Sequence, residues 1–315
     1  MSKLKLYFVI ISATIVLFSC NKADDSTPVP IRDISVQYAA DITTIEAYLN
    51  TYYIENSGLV TDQEIKLTKI PVGGTQPSIW TLLNSTTYPT LLSKDVDLHS
   101  ITYKVYYLKL RADNPTGKSL SRVDEVLTAY AGSFLQNKST TVDNVTTVDI
   151  ASTLFESVQY PQGTIPLDRT VMGWQEIFPL FKTGTYDPTP SSGPAVYNDF
   201  GAGVIFIPSG LAYFYQQVGT IPSYSPLVFT IKLYDMKKAD QDSDGIYSDD
   251  EDLNHDGVFT NDDTDGDGKQ DYLDIDDDGD GYLTKNEIHK NSDGTIIFED
   301  TDHDLIPNYL DKDNH

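Results

Sequence analysis

The chain of 315 residues has one cysteine, Cys20. No internal disulfide can form, and a chain sent to an oxidising compartment is spared mispairing. Long apolar runs are missing as well: the run over residues 6–18 is too short to cross a bilayer as a helix, which takes ~20 residues. Basic residues are nowhere clustered, so nucleic acid is not an expected partner. Hydrophobic residues make up only 39%, low but workable for a chain with room for about two compact units.

Acid is what the chain has in excess. It carries 47 Asp and Glu against 22 Lys and Arg, a formal charge of −25. From Asp240 to the end there are 26 acids and four lysines. The body before that point is close to neutral. Its 21 tyrosines against 12 phenylalanines suit half-exposed sheet surfaces.

Lys3 and Lys5 followed by the apolar run over 6–18 have the charged start and apolar middle of a secretory signal peptide. The run ends in Leu17-Phe18-Ser19-Cys20, which resembles a bacterial lipobox, although Phe18 is larger than the residue usual there. That resemblance implies a signal peptide over 1–20 and Cys20 as the lipidated first residue of the mature chain. Residues 21–32, with Asp24, Asp25 and two prolines, read as a tether. The implied location is the bacterial cell envelope, lipid-anchored at a membrane, the outer one, facing the periplasm or the surface.

Ile34, Tyr38, Ile42, Ile45, Leu49 and Tyr52 recur at helical spacing, so the pattern predicts an amphipathic helix over 33–56, stopped near Gly58. It opens an N-terminal extension over 33–98 that also holds a possible strand at 64–70. Residues 101–110 alternate as a strand, and 113–117 turn the chain. A strand follows at 123–130, then a Ser/Thr-rich insertion ahead of Phe155. In 170–184 the apolar positions Trp174, Ile177, Phe178 and Phe181 predict a short helix, with Gly184 past its end. Pro179 inside it costs ~3 kcal/mol unless the helix kinks or ends there. Strands at 205–207 and 227–233 complete an α+β domain over 99–236, of five or six antiparallel strands and one helix.

In chain order these residues read Tyr130-x-Gly132, Phe155-Glu156-Ser157, Val171-x-Gly173-Trp174-x-Glu176, Ile207-Pro208-Ser209-x-Leu211-Ala212-Tyr213, Ile221-Pro222 and Leu227-Val228-Phe229. The colinear set resembles FKBP-type peptidyl-prolyl isomerases, closest to anchored bacterial forms with N-terminal extensions. The resemblance implies a twisted antiparallel sheet wrapped on one short helix and an aromatic cup floored by Trp174. Its walls would be Tyr130, Phe155, Val171, Tyr213, Ile221 and Phe229, with the Val171 N–H holding the substrate carbonyl. It implies X-Pro segments of exported proteins as substrate and no cofactor for catalysis. Three departures bear on activity: Glu156 in place of the usual Asp, Phe214 in place of a glycine, and an inserted loop over 186–202 rich in Pro and Gly. The alternative is a prolyl-peptide clamp or adhesion protein without turnover.

The tail over 237–315 repeats D-x-D-x-D-G-x5-E, the calcium loop of an EF-hand, in which alternate oxygens converge on one cation. Asp240, Asp242, Asp244 and Glu251 match it in full, as do Asp276, Asp278, Asp280 and Glu287. Asp252, Asn254, Asp256 and Asp263, then Asp263, Asp265, Asp267 and Asp274, repeat it with a shorter last acid. Asp300, Asp302, Asp304 and Asp311 form a copy with Leu305 where glycine belongs. The segment 263–274 resembles a thrombospondin type 3 repeat. Structural Ca2+ is expected in the loops, with Tyr247, Phe259 and Leu283 as their apolar residues, in a module energetically separate from the domain before it. The other reading of so much acid is a disordered tail.

Overall fold

The computed structural model describes residues 30–142, 145–188 and 195–314. Cys20, the signal peptide over 1–20 and nearly all of the tether lie outside them, as do Pro190, Gly193 and Pro194 of the inserted loop. Among the described residues no helix is long and apolar enough to cross a membrane.

Helix α1 spans Ile34–Thr51, opened by Asp33, whose carboxylate accepts the Val36 N–H at 3.1 Å. The expected helix over 33–56 is too long. At Tyr52 the chain turns extended and forms β1 (Tyr52–Asn56), antiparallel to β2 (Lys66–Lys69). Tyr-Tyr-Ile favours a strand, while the rings of Tyr48 and Tyr52, stacked at 3.9 Å, carry the helical spacing across the boundary. Gly58 does not cap the helix; it turns the chain between β1 and β2 at φ 59°.

Strands β3 (Thr90–Leu98) and β4 (Ile101–Lys109) form a hairpin, so the boundary expected at residue 98 falls in a turn between strands of one sheet. The Ser/Thr-rich stretch is the far end of a second, long hairpin of β5 (Glu125–Val142) and β6 (Val145–Val158). A short β7 (Ile165–Pro166) pairs with the start of β5. Helix α2 (Met172–Ile177) passes at Phe178 into a 3-10 turn, Phe178–Leu180, which holds Pro179. Gly184 therefore does not end the helix; its N–H donates to Tyr234 O at 3.0 Å. The inserted loop carries a ribbon of β8 (Thr185–Asp187) and β9 (Val196–Asn198). Strands β10 (Gly201–Ile207) and β11 (Leu227–Lys237) complete the curled antiparallel sheet, in the order β3-β4-β10-β11-β5-β6.

Both faces of this sheet are covered. Val105, Tyr107, Ile205, Ile207, Phe229 and Ile231 pack with Trp174, Ile177, Phe178 and Phe181 on the α2 side. Tyr106, Leu108, Val204, Phe206 and Val228 meet Ile45, Tyr48 and Leu49 of α1 on the other. All seven residues of β10 are buried in consequence.

The tail packs against this body. Gln241 Nε2 donates to Val123 O at 2.8 Å, and Phe259 is buried. Phe259 and Tyr272 share a cleft wall with Met172 and Gln175 of α2. The tail thus touches the domain before it. Ile246, not the half-exposed Tyr247, is the apolar residue the first loop buries. In the tail β12 (Ile288–Lys290) pairs with β13 (Ile296–Phe298).

One buried carboxylate ties α1 to the chain after β10. Asp41, 1% exposed, accepts from the Ser209 N–H at 2.7 Å, the Ser209 hydroxyl at 2.6 Å and Gln37 Nε2 at 2.6 Å. Burial outweighs these bonds and raises its pKa from 3.8 to about 6. The folded chain therefore holds this proton more tightly than the unfolded one, and the associated stability is present below pH ~4 and lost as pH rises through 6. Urea unfolding of the full chain should show the parent losing roughly 2–3 kcal/mol relative to Asp41→Asn between pH 4 and 7. A flat difference over that range would mean that the carboxyl keeps its ordinary pKa.

Candidate functional site

The α2 side of the sheet opens into a cleft of about 440 Å3. Its floor is Trp174, 4% exposed, which the first turn of α2 places: the Trp174 N–H donates to Val171 O at 2.8 Å. Gly173 lets the helix come down on β10, since a Cβ there would meet Ile207 Cγ2 at 2.5 Å. Around the indole stand Tyr130 at 5.1 Å and Phe229 at 5.0 Å, both edge-on, with Phe155 edge-on to Phe229 at 5.7 Å. Such pairs each contribute ~0.5–1.5 kcal/mol beyond the area they bury.

Phe155 reaches the cup through a bulge. Gly132 pairs with Glu156 and Ser133 with Leu154, so Phe155 is the extra residue of β6. Its ring lies over Gly132, where a Cβ would meet Phe155 Cζ at 2.5 Å and Phe229 Cε1 at 2.6 Å. This close approach is why the Tyr130-x-Gly132 spacing matters. Tyr213 enters from the segment after the 3-10 turn Ser209–Leu211, the turn that Asp41 holds. Phe214 beside it takes φ 49°, the left-handed backbone that suits the glycine it replaces. Its ring packs edge-on to Tyr224 at 5.4 Å, and the Arg32 guanidinium lies 4.3 Å from the Tyr224 ring centroid.

Of the residues expected from sequence, Tyr130, Phe155, Glu156, Val171, Trp174, Tyr213 and Phe229 line this one cleft. Ile221 does not; it is buried in the core beside it. Ile165, Arg169, Thr170, Met172, Gln175 and Ala212 complete the lining. No spacing rule marks them: Ile165 is in the short β7, Met172 and Gln175 are on α2, and the rest sit on turns and connections. Glu156 is the exposed carboxylate at the mouth. Burial first, and then the Glu156 charge, push the Tyr130 hydroxyl up to about 12 and the Tyr213 hydroxyl upward. Trp174 Nε1 has no hydrogen-bond partner among the described residues. Glu176 belongs to the scaffold: Lys94 Nζ donates to it at 2.8 Å and Arg122 stands at 3.2 Å, tying α2 to β3.

The five acidic loops share one backbone. Their fourth and sixth residues, Ser243 and Gly245, His255 and Gly257, Gly266 and Gly268, Gly279 and Gly281, His303 and Leu305, all have positive φ. In each loop the third side chain accepts the fifth N–H and the fifth side chain accepts the seventh, at 2.6–3.2 Å. The loops differ in what the remaining oxygens do. Asp252, Asp263 and Asp300 each use both oxygens on backbone N–H groups of their own loop. Asp274, expected to close the third loop, instead bonds Lys269 and the Ile275 and Asp276 amides.

In the two loops that end in Glu, buried oxygens of Asp240, Asp242, Asp244, Glu251, Asp276, Asp278 and Glu287 have no hydrogen-bond partner among the described residues. Burial raises Asp242 to about 7, Asp244 to about 6, Glu251 to about 10 and Glu287 to about 7. Asp240, Asp242 and Asp244 bring oxygens within 4.8 Å of one another, as do Asp276, Asp278 and Asp280. Ionised carboxylates at that spacing repel by about 3–4 kcal/mol per pair at an effective dielectric of ~20. These donor sets are all oxygen and fit a hard divalent cation such as calcium. The final Glu marks these two loops in the sequence, and burial of their unpartnered oxygens sets them apart in the fold.

No curated protein matches the sequence. The family described as BamM C-terminal matches residues 241–298. Among solved structures, a peptidyl-prolyl cis-trans isomerase from Pseudomonas syringae pv. tomato is 16% identical, at TM-score 0.33, over 67% of this chain and 100% of that one. FkpA from Escherichia coli is 25% identical, at TM-score 0.29, over 42% of this chain and 48% of its own. The N-terminal domain of FKBP42 from Arabidopsis thaliana is 14% identical, at TM-score 0.31, over 46% and 94%.

Leu305, 90% exposed at φ 80°, holds a conformation that costs an L-residue with a Cβ about 1 kcal/mol or more. Leu305→Gly should relieve it and steady the last loop. Hydrogen exchange at the Asp304 and Ile306 amides is the measure, with slowing of roughly fivefold expected. Unchanged or faster exchange would mean that the loop carries no strain there.

Proposed function

We propose that the cleft binds X-Pro segments of exported proteins and catalyses their cis–trans isomerisation. The observation that carries this reading is the convergence of Tyr130, Phe155, Trp174, Tyr213 and Phe229 on one cleft whose lining holds no nucleophile–base pair. An X-Pro bond rotates over ~18–20 kcal/mol because resonance gives its C–N bond double-bond character. That resonance separates charge, so a dry aromatic cup disfavours the planar amide relative to its twisted form. A thousandfold acceleration asks for about 4 kcal/mol, within reach of desolvation, shape and one or two oriented hydrogen bonds. The Val171 N–H, at the start of α2 and without an acceptor among the described residues, is the donor assigned to the substrate carbonyl.

The same reading takes the chain as an envelope lipoprotein anchored through Cys20, with a tail that holds calcium as a structural ion. Support for the anchor is the sequence around Cys20; support for the ion is the set of buried, unpartnered carboxylate oxygens in the two Glu-ended loops. Calcium there would neutralise oxygens that the fold takes out of water. A clamp without turnover is the second reading, favoured by the Glu156 charge at the mouth of the cup beside the Tyr130 and Tyr213 hydroxyls.

Turnover of a short X-Pro peptide separates the two readings. Trp174→Ala or Phe229→Ala should lower kcat/KM at least tenfold, about 1.4 kcal/mol of transition-state stabilisation. Glu156→Asp should hold or raise the rate. A parent chain that gives no rate above the uncatalysed one rules out the enzyme and leaves the clamp. For the anchor, Cys20→Ser should release the chain from the detergent phase with its signal peptide uncleaved or cut elsewhere. Normal maturation and partitioning of that variant would mean that Cys20 is not lipidated.

A further inference from the structure

Asp277 has no place in the loop pattern, since it follows the first acid of the fourth loop and precedes the third. Its side chain is nevertheless 2% exposed. Both its oxygens, and both oxygens of Glu251 at 1% exposure, lack a hydrogen-bond partner among the described residues. Asp244 of the first loop is buried with them, with Oδ2 unpartnered and Oδ1 taken by the Ile246 N–H at 2.8 Å. Oxygens of Asp244, Glu251 and Asp277 lie within 4.8 Å of one another. None of the three forms an ion pair with a Lys or Arg among the described residues. The Thr284 hydroxyl beside Asp277 accepts the Asp277 N–H at 3.2 Å.

Three buried carboxylates from two loops, with five oxygens that have no hydrogen-bond partner among the described residues, cannot all be charged without a cation among them. Oxygens on opposite sides of a calcium ion stand about 4.6–5.2 Å apart, twice the calcium–oxygen distance, so the spacing suits one ion at their centre. We infer that Asp244, Glu251 and Asp277 together hold one calcium-sized divalent cation, which joins the first acidic loop to the fourth. This rests on the reading of the tail as a cation-binding module and adds to it a ligand from outside the repeat. The consequence is topological: residues 252–276 become a closed segment between two arms of one ion, and the tail folds as a ring of loops rather than as beads.

Calcium titrated into the EDTA-stripped full chain, followed by calorimetry, tests this. Asp277→Asn should weaken one site at least tenfold, the same site that Glu251→Gln weakens. The double variant should lose little more than either single one, because both side chains surround the same ion. Asp278→Asn, in the fourth loop's own set, should weaken a different site. A crystal of the parent chain grown in calcium gives a second readout that needs no variant: an anomalous peak bonded by carboxylates of both Glu251 and Asp277. If Asp277→Asn binds as the parent does while Glu251→Gln loses a site, or the peak contacts Glu251 with Asp277 turned away, the inference falls and the cation reading of the tail stands. If the parent takes up no calcium at ~10 mM, beyond the range of extracellular modules, both fall together.

Discussion

A strand with no solvent side sets the terms for the rest of this molecule. Every residue of β10 is buried, so both faces of the sheet need an apolar partner. Ile205 and Ile207 turn toward α2, Val204 and Phe206 toward α1. The N-terminal extension is therefore part of the core, although it looks like an addition in sequence. Asp41 makes the attachment specific: apolar packing alone would let α1 slide, whereas two hydrogen bonds from Ser209, with Gln37 of the same helix holding the carboxylate, fix where it stops.

Site and core are made of the same side chains. Trp174 is packed against Phe178 at 4.8 Å and also floors the cleft, so truncating it removes scaffold and surface together. For that reason a loss of rate in an alanine variant has meaning only beside a folded-state measurement. Glu156 is free of this ambiguity. It is exposed and acts on the cup at the hydroxyls of Tyr130 and Tyr213, by charge on both and by a hydrogen bond with Tyr130.

The residues that line the cleft were readable where a local reason fixes them. Gly132 and Gly173 sit where a ring or a strand comes too close for a Cβ, and their neighbours Tyr130 and Trp174 follow from that. The strands over 101–110 and 227–233 were readable from alternation; proline's missing N–H marks a break near Pro179, yet the apolar spacing runs on to Phe181 while α2 ends at Ile177. The end of α1 was not, because Tyr52 keeps the helical period while stacking on Tyr48 from a strand. Ile221 kept its motif but stands outside the cleft lining, and Asp277 is in no motif at all. What decides such residues is burial against distant chain, and a repeat pattern carries no record of it.

The five acidic loops also set how this tail can change in length. The second, third and fifth loops turn their first acid onto their own amides, so each is a closed unit. The fifth is still not free of the others, since Tyr309 within it is 5% exposed and lies close to Glu251 and Asp277. A loop inserted or removed between Glu251 and Asp277 would shift two buried carboxylates relative to each other by a whole loop, and one lost at the far end would take Tyr309 away from them.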